Sequence, residues 1–397
     1  EIASCLVGSE MCIRDRIMII SNKSPISINN DPWEAYNDIL EHNQLTLSNI
    51  EFTTTNLCNM RCSHCAVGYT LQTKDPDPLP MDIIYRRLDE IPNLRTLSIT
   101  GGEPMFSKKS IKNVVKPLLK YAKHRGIYVQ MNSNLTLPQD RYLDIAEYID
   151  VMHISHNWGT IQEFTDVGFG AMRKQPPLKA KLKLYEQMLE NSSTLSDQGM
   201  FVSAETMLNQ STVPYINKIH NEVVNDMKCS RHEIHPMYPS DFASQLNVLS
   251  LKEMKEAIHH LLDIRDENTW MLFGTLPIYP CLNDEYDQHL LQRLRKSKNV
   301  TMRNDPDGRS RLNVNVFTGD VIVTDFGDEN GTISNIQKDK LTDVFNQWLN
   351  TDLAQSLNCH CPEYHCLGPN VLVKNMYYPN TDFKKKEQKM HQYQIFS

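Results

Sequence analysis

Long apolar runs are missing from this 397-residue sequence. No stretch approaches the ~20 consecutive apolar residues that a helical membrane span needs. The N-terminus lacks a basic-then-apolar run with a cleavage site, so no secretory leader is expected and the cytosol is the default compartment. Positive charge is in deficit: 41 Lys and Arg stand against 48 Asp and Glu, for a net charge of −7. Neither nucleic acid nor an anionic membrane is therefore an expected partner. There is no fixed-period repeat and no low-complexity tract.

Cysteine, by contrast, is present and clustered. The ten cysteines of a cytosolic chain point to metal binding or catalysis more than to disulfides. Cys58, Cys62 and Cys65 form one group, and Cys359, Cys361 and Cys366 another. Cys281 is isolated, and Cys229 reads as a buried thiol. Cys5 and Cys12 lie in EIASCLVGSEMCIRDR, which differs in character from the rest of the chain and resembles translated adaptor sequence. Met18 reads as the natural start, and residues 1–17 are set aside as a non-native leader.

From Ile50 the chain alternates short β-branched runs with helical spacing. Strands are predicted near Ile50–Thr55, Leu97–Thr100, Tyr128–Met131, Val151–Ser155, Phe201–Met207 and Glu233–Pro236. Helical patterns lie between them. Gly126 is a helix stop, Pro117 a kink or first-turn residue, and Ser250 with Glu253 a capping box. Six strand–helix units in a row predict an α/β fold, a partial (β/α)6 TIM-like barrel. After Tyr279 the pattern changes to a hairpin about Thr318-Gly319-Asp320, a helix over Leu341–Leu349, and the second cysteine group. The expected order is a polar lead-in over 18–47, the barrel over 48–275, a small cysteine-rich α+β extension over 276–375, and a tail over 376–397.

Cys58-Asn59-Met60-Arg61-Cys62-Ser63-His64-Cys65 has the spacing C-x3-C-x2-C and comes after the first predicted strand. Loops after barrel strands share one rim, where chemistry collects. An ordinary [4Fe–4S] cluster takes four thiolates. Three local ones leave one iron open to a ligand, as the open position does in catalytic zinc. The alternatives are a zinc knuckle or buried free thiols. Gly101-Gly102-Glu103-Pro104 comes directly after the second strand. Paired glycines permit close backbone approach, and a carboxylate beside them accepts hydrogen bonds from an ammonium. A strand-to-helix turn is the plainer reading of that tetrapeptide alone.

The two motifs together resemble the radical S-adenosylmethionine superfamily. That resemblance implies a [4Fe–4S] cluster on Cys58, Cys62 and Cys65, and S-adenosylmethionine bound at Gly101, Gly102, Glu103 and Pro104. His64 stands where the family usually has a large aromatic against adenine. Asn132, Ser133 and Asn134 resemble the family's ribose-contacting stretch, and Ser155, His156, Asn157 and Glu205 are further candidates for the pocket. Turn-forming Asn and Ser, and a merely structural Glu205, are the alternatives. His232, Glu233, His235 and Tyr238 are candidates to face substrate, with a satisfied buried or rim histidine as the alternative.

Cys359-His360-Cys361-Pro362-Glu363-Tyr364-His365-Cys366, with spacing C-x-C-x4-C, resembles the SPASM or twitch extensions that hold auxiliary iron–sulfur clusters. Cys281 is the candidate fourth ligand. Such extensions carry a cysteine at the end of the hairpin, where this sequence has Val323-Thr324-Asp325, so a full two-cluster SPASM domain is not expected. A zinc site using His360 or His365 is the alternative. With the stretches Asn132–Thr136 and His153–Gly159, the whole pattern is similar to the YfkAB-like subfamily. The resemblance implies an enzyme that reductively cleaves S-adenosylmethionine to a 5′-deoxyadenosyl radical, which abstracts hydrogen from a peptide or small-molecule substrate. It implies an external electron donor such as flavodoxin or ferredoxin. No catalytic side chain is assigned. The rival function is a non-catalytic zinc-binding scaffold, which has no need of Glu103.

Overall fold

The computed structural model describes residues 23–282, 284–324 and 331–386. The expected leader, the start at Met18, and Asp325 lie outside the described residues. Each predicted strand forms. They are β1 (Asn49–Thr53), β2 (Thr96–Thr100), β3 (Tyr128–Ser133), β4 (Val151–Ser155), β5 (Phe201–Leu208) and β6 (Arg231–Pro236). All pair in parallel and in sequence order, with helical crossovers, as the six-unit barrel requires.

The sheet does not stop at six. β7 (Trp270–Gly274) and β8 (Val300–Arg303) add two parallel strands, joined by the helix Glu285–Lys296. Trp-Met-Leu-Phe-Gly is buried throughout. A strand covered on both faces shows no alternation, which is why its period did not mark it. β9 (Arg311–Asn315) then returns to lie parallel to β1. β10 (Asp320–Ile322) pairs antiparallel with β9 in the expected hairpin, and β11 (Ser334–Asn335) ends that edge. The order is β11-β10-β9-β1-β2-β3-β4-β5-β6-β7-β8.

The crossover after β2 runs from Lys108–Ser110 through a π segment, Ile111–Val115, into Lys116–Arg125. Pro117 sits where the pitch changes, so its missing N–H falls in a turn already reorganised. Gly126 closes the helix at φ 67. The capping box of Ser250 and Glu253 starts Leu251–Ile264.

The lead-in is less polar in place than in sequence. Trp33 is 2% exposed, and its Nε1 donates to Ser98 Oγ of β2 at 3.2 Å. Tyr36 begins the helix Tyr36–His42, and its hydroxyl meets His360 Nε2 at 2.7 Å. At the other end, the expected tail is tied down as far as Phe383, which is fully buried.

Alternation sends Ala204, Leu208 and Ile234 to the helix-covered face, within the main apolar core. The opposite face is polar. There Glu205 meets His153, and Arg303 pairs with Glu233 and Asp31. Behind the sheet runs an ordered chain of buried imidazoles. The Asp266 N–H donates to His220 Nε2 at 3.0 Å, which puts the His220 proton on Nδ1. That proton faces His232 Nδ1 at 2.9 Å. His232 Nε2 then donates to Thr206 Oγ1, whose hydroxyl donates to the His156 carbonyl.

Burial holds His220 down at about 4 and His232 well below its ordinary value. The unfolded chain protonates these rings near pH ~6.5. Stability is therefore complete above that pH and lost as pH falls toward 4, by roughly 2–3 kcal/mol for His220. Urea unfolding midpoints between pH 7 and 4 check this. His220→Gln should flatten the acid limb, and an unchanged limb would refute the assignment.

Candidate functional site

The loop after β1 is fixed before it reaches its first cysteine. Asp75 is buried and accepts from Thr55 Oγ1 and from the Asn56 N–H, each at 2.7 Å. The Gly102 N–H donates to the Thr55 carbonyl and the Glu103 N–H to the Leu57 carbonyl, again at 2.7 Å. A Cβ on Gly101 would lie 2.3 Å from the Thr55 oxygen, and one on Gly102 would lie 2.2 Å from the Leu57 oxygen. Gly101 also has φ +131. In this fold the paired glycines serve close approach of one protein loop to another.

Further on, Arg61 and Ser63 bond the backbone at Gly168 and Val167. The Arg61 guanidinium donates to the carbonyls of Cys58 and Met60 at 2.9 and 2.8 Å. Asn59 Nδ2 donates to Thr136 Oγ1 at 2.8 Å. The cysteine loop is thus held by three neighbours, and Cys58, Cys62 and Cys65 are partly exposed and not in disulfides.

Burial pushes the Cys58 thiol up to about 12 and Cys65 to about 11, and raises Cys62. Cys62 is raised further by the charges of Cys58 and Cys65, so the three lie within electrostatic reach of one another. Arg61 pulls all three the other way. Among the described residues no three His, Cys, Asp or Glu side chains converge on the point a single metal ion would fill. A cubane asks for something different, one thiolate on each of three irons. Partly exposed thiols on one clamped loop, beside a guanidinium, fit that demand. Asn134 Nδ2, 3.8 Å from Cys58 Sγ, adds a donor to the sulfur.

Glu103 is 1% exposed. Its carboxylate accepts from Ser133 Oγ at 3.0 Å, from the Asn134 N–H at 2.8 Å and from the Met105 N–H at 3.2 Å. Burial raises it to about 7, and these bonds and the Arg141 charge oppose the rise. The turn that presents Asn134 is strained, because Leu135 stands at φ 56. Asn191, fully buried on the helix Leu178–Asp197, holds it by donating to the carbonyls of Leu135 and Leu137 at 2.8 Å each.

His64 is 7% exposed. Asn157 Nδ2 donates to its Nε2 at 3.3 Å, and its Nδ1 has no partner. Burial lowers it to about 4, so the ring is neutral. On the neighbouring strands, Ser155 sits in register with Glu205. Burial alone would raise Glu205. The His153 hydrogen bond and the charges of His235, His153 and Arg303 hold it at about 2 instead. Asn132 points its Oδ1 at Gln130 Nε2, 2.8 Å away, and Pro104 is buried. His235 donates to Glu233, whereas His232 lies in the imidazole chain behind the sheet and faces no open space. Asp75, Asn59, Arg61 and Asn191 were not singled out from sequence, whereas Asn157, a candidate at the end of β4, meets His64. Only Asn59 and Arg61, inside the C-x3-C spacing, carried a signal that could have found them.

The second cysteine group gathers as a unit. Cys361 and Cys366 exchange backbone hydrogen bonds at 2.9 and 3.1 Å. The charges of Cys281 and Cys361 raise Cys366, after burial, to about 12. Cys359 is buried among Tyr238, Tyr279, Tyr378 and Phe383, with Cys281 and Cys366 packed beside it. Tyr36 stacks on His365 with ring centroids 4.5 Å apart. A cavity of about 380 Å³ opens beside Cys366 and Tyr279 and reaches Arg303. Cys229 is 6% exposed, as a core thiol is.

Residues 52–216 match the Radical SAM superfamily and residues 237–388 the YfkB-like domain. The chain is 62% identical over 363 residues to the YfkA protein of Bacillus subtilis (strain 168), covering 91% of this chain and 97% of that one. Among solved structures it resembles Streptococcus suis SuiB bound to precursor peptide SuiA. The TM-score is 0.58 at 15% identity, over 94% of this chain and 86% of that one. It also resembles anSMEcpe with bound AdoMet and Cp18Cys peptide, with TM-score 0.55 at 12% identity, over 86% and 94% of the two chains. At such identities the structural likeness is one of fold.

Gly101→Ala forces a side chain onto the Thr55 carbonyl at a backbone angle that favours glycine. The expected cost is about 1–3 kcal/mol or more. Urea unfolding of the metal-free protein measures it, and an unshifted midpoint would show that the two loops are not stitched as described.

Proposed function

The chain belongs to the radical S-adenosylmethionine superfamily, in its YfkAB-like branch, and from that membership we propose a two-cluster enzyme acting on a peptide or protein substrate. Membership makes it a radical S-adenosylmethionine enzyme with an iron–sulfur cluster. The reading of individual residues is ours. Bound at a reduced [4Fe–4S] cluster, S-adenosylmethionine supplies a carbon-centred radical that abstracts hydrogen from substrate.

Cys58, Cys62 and Cys65 would hold the cluster and would leave it one coordination position open to the methionine end of the cofactor. Glu103 accepts from its ammonium. The single observation that carries this reading is the orientation of that carboxylate. Ser133, Asn134 and Met105 fix it, and Cys58 feels its charge. A zinc scaffold gives so costly a buried acid no task. Gly101, Gly102 and Pro104 place Glu103. His64 offers a flat neutral ring to adenine, and Asn132, Ser155 and ionised Glu205 offer polar groups to ribose. Cys281, Cys359, Cys361 and Cys366 would hold an auxiliary cluster, with Cys359 buried among the rings of Tyr238, Tyr279, Tyr378 and Phe383. SuiB and anSMEcpe have been seen with peptides, and the polar sheet face with Glu233, His235 and Arg303 suits such a substrate. An external carrier such as flavodoxin or ferredoxin supplies the electron.

Anaerobic reconstitution tests the proposal. Two cubanes bring ~8 irons per chain, and either cysteine set changed to Ala leaves ~4. Changing Cys58, Cys62 and Cys65 must also abolish formation of 5′-deoxyadenosine. Cleavage retained in that variant would sink the first assignment. Iron unchanged in the Cys281, Cys359, Cys361 and Cys366 variant would sink the second.

A further inference from the structure

The net negative chain hides one basic face. In the crossover after β2, Lys108, Lys112, Lys116 and Lys120 recur every fourth residue, so they share one side of the helix. With Arg141 they line a groove of about 470 Å³. Only two carboxylates, Asp140 and Asp144, line it as well. Lys116 is neutralised by Asp144. Lys108, Lys112 and Lys120 are exposed and enter no ion pair among the described residues.

This face is wired to the cysteine loop. The Arg141 guanidinium donates to the Met105 and Phe106 carbonyls at 2.7 and 3.0 Å, directly after the Gly-Gly-Glu-Pro turn. Arg141 lies within electrostatic reach of Glu103, and Glu103 within reach of Cys58. Thr136, five residues before Arg141, holds Asn59 inside the first cysteine group. Phe106, whose carbonyl accepts from Arg141, has a side chain 37% exposed. A positive groove whose Arg141 is bonded to the turn beside the cysteine loop is the complement of a negatively charged protein that docks briefly.

The geometry points to this groove as the docking surface for an acidic one-electron carrier protein. The inference rests on the proposed function, which needs such a donor. The transfer balances simply: the carrier is oxidised by one electron, the enzyme's cluster is reduced by one, and no bond forms in the step. Steering by such a patch raises association ~10–1,000-fold and is screened by salt.

The probe is a bacterial flavodoxin, acting on the reconstituted holoenzyme and on a Lys108→Glu, Lys112→Glu, Lys120→Glu variant. A variant carrying Lys174→Glu, Lys179→Glu and Lys183→Glu, exposed residues elsewhere, matches the charge change. Cleavage of S-adenosylmethionine is driven in one arm by flavodoxin and in the other by dithionite, and calorimetry measures flavodoxin binding. The groove variant is expected to bind flavodoxin at least ~10-fold more weakly and to lose ~10-fold in flavodoxin-driven rate at low salt. Its dithionite-driven rate should stay within about twofold of the parent, a range simple surface charges leave intact. Raising the salt should slow the parent with flavodoxin and leave the variant unchanged. Equal binding and equal rates in parent and groove variant overturn the proposal. So does an equal loss in the control, or binding of the groove to phosphatidylglycerol vesicles in place of flavodoxin. If the parent cleaves nothing even with dithionite, the enzyme reading fails and takes this inference with it. A failure confined to the flavodoxin arm leaves that reading standing.

Discussion

Two backbone hydrogen bonds, from Gly102 to Thr55 and from Glu103 to Leu57, join the chemistry of this protein to its sheet. They lie at the rim, where β1 and β2 end side by side. Through them the loop bearing the thiols and the turn bearing the acid become one rigid body. Parallel pairing of the two strands sets their height, and the missing side chains of Gly101 and Gly102 set their separation. Iron ligation needs sulfurs placed to within fractions of an ångström, and backbone contacts of this kind supply that more reliably than mobile side chains.

A second layer acts on the first. Ser133 and Asn134 orient Glu103, Asn191 holds the strained turn at Leu135, and Asn157 holds His64. Each is a neutral amide or hydroxyl. Such groups fix geometry in a buried space without adding charge, which would have to be desolvated or balanced. On the polar sheet face charged groups meet in pairs instead, Arg303 with Glu233 and Glu205 with His153.

Much of this was legible in the sequence. The six βα units, the cap at Ser250, the stop at Gly126 and the hairpin about Gly319 all announced themselves through period and turn chemistry. So did the cysteine spacings, because ligands on one loop must be close in sequence. β7 was not legible, since a strand buried on both faces has no alternation to read. Asp75 and Asn191 were not legible either. Their partners lie 19 to 20 and 54 to 56 residues away, and no local pattern encodes such a pairing. The glycines were found, and the immediate reason for them is protein packing.

Tyr36 and His360 are separated by 324 positions yet touch, and Asp31 reaches Arg303 across 272. The N-terminal segment is first held at β2, through Trp33 on Ser98 and Arg95 on Asp38, and its contacts with the C-terminal region close later. Until the C-terminal segment arrives, Tyr36 lacks His360 and His365, and closing such distant ends slows assembly. The ring of Tyr36, resting on His365, works as a clasp that registers whether synthesis reached the final cysteines. A polypeptide truncated before them would keep its barrel strands and still be left unlatched at the opposite end.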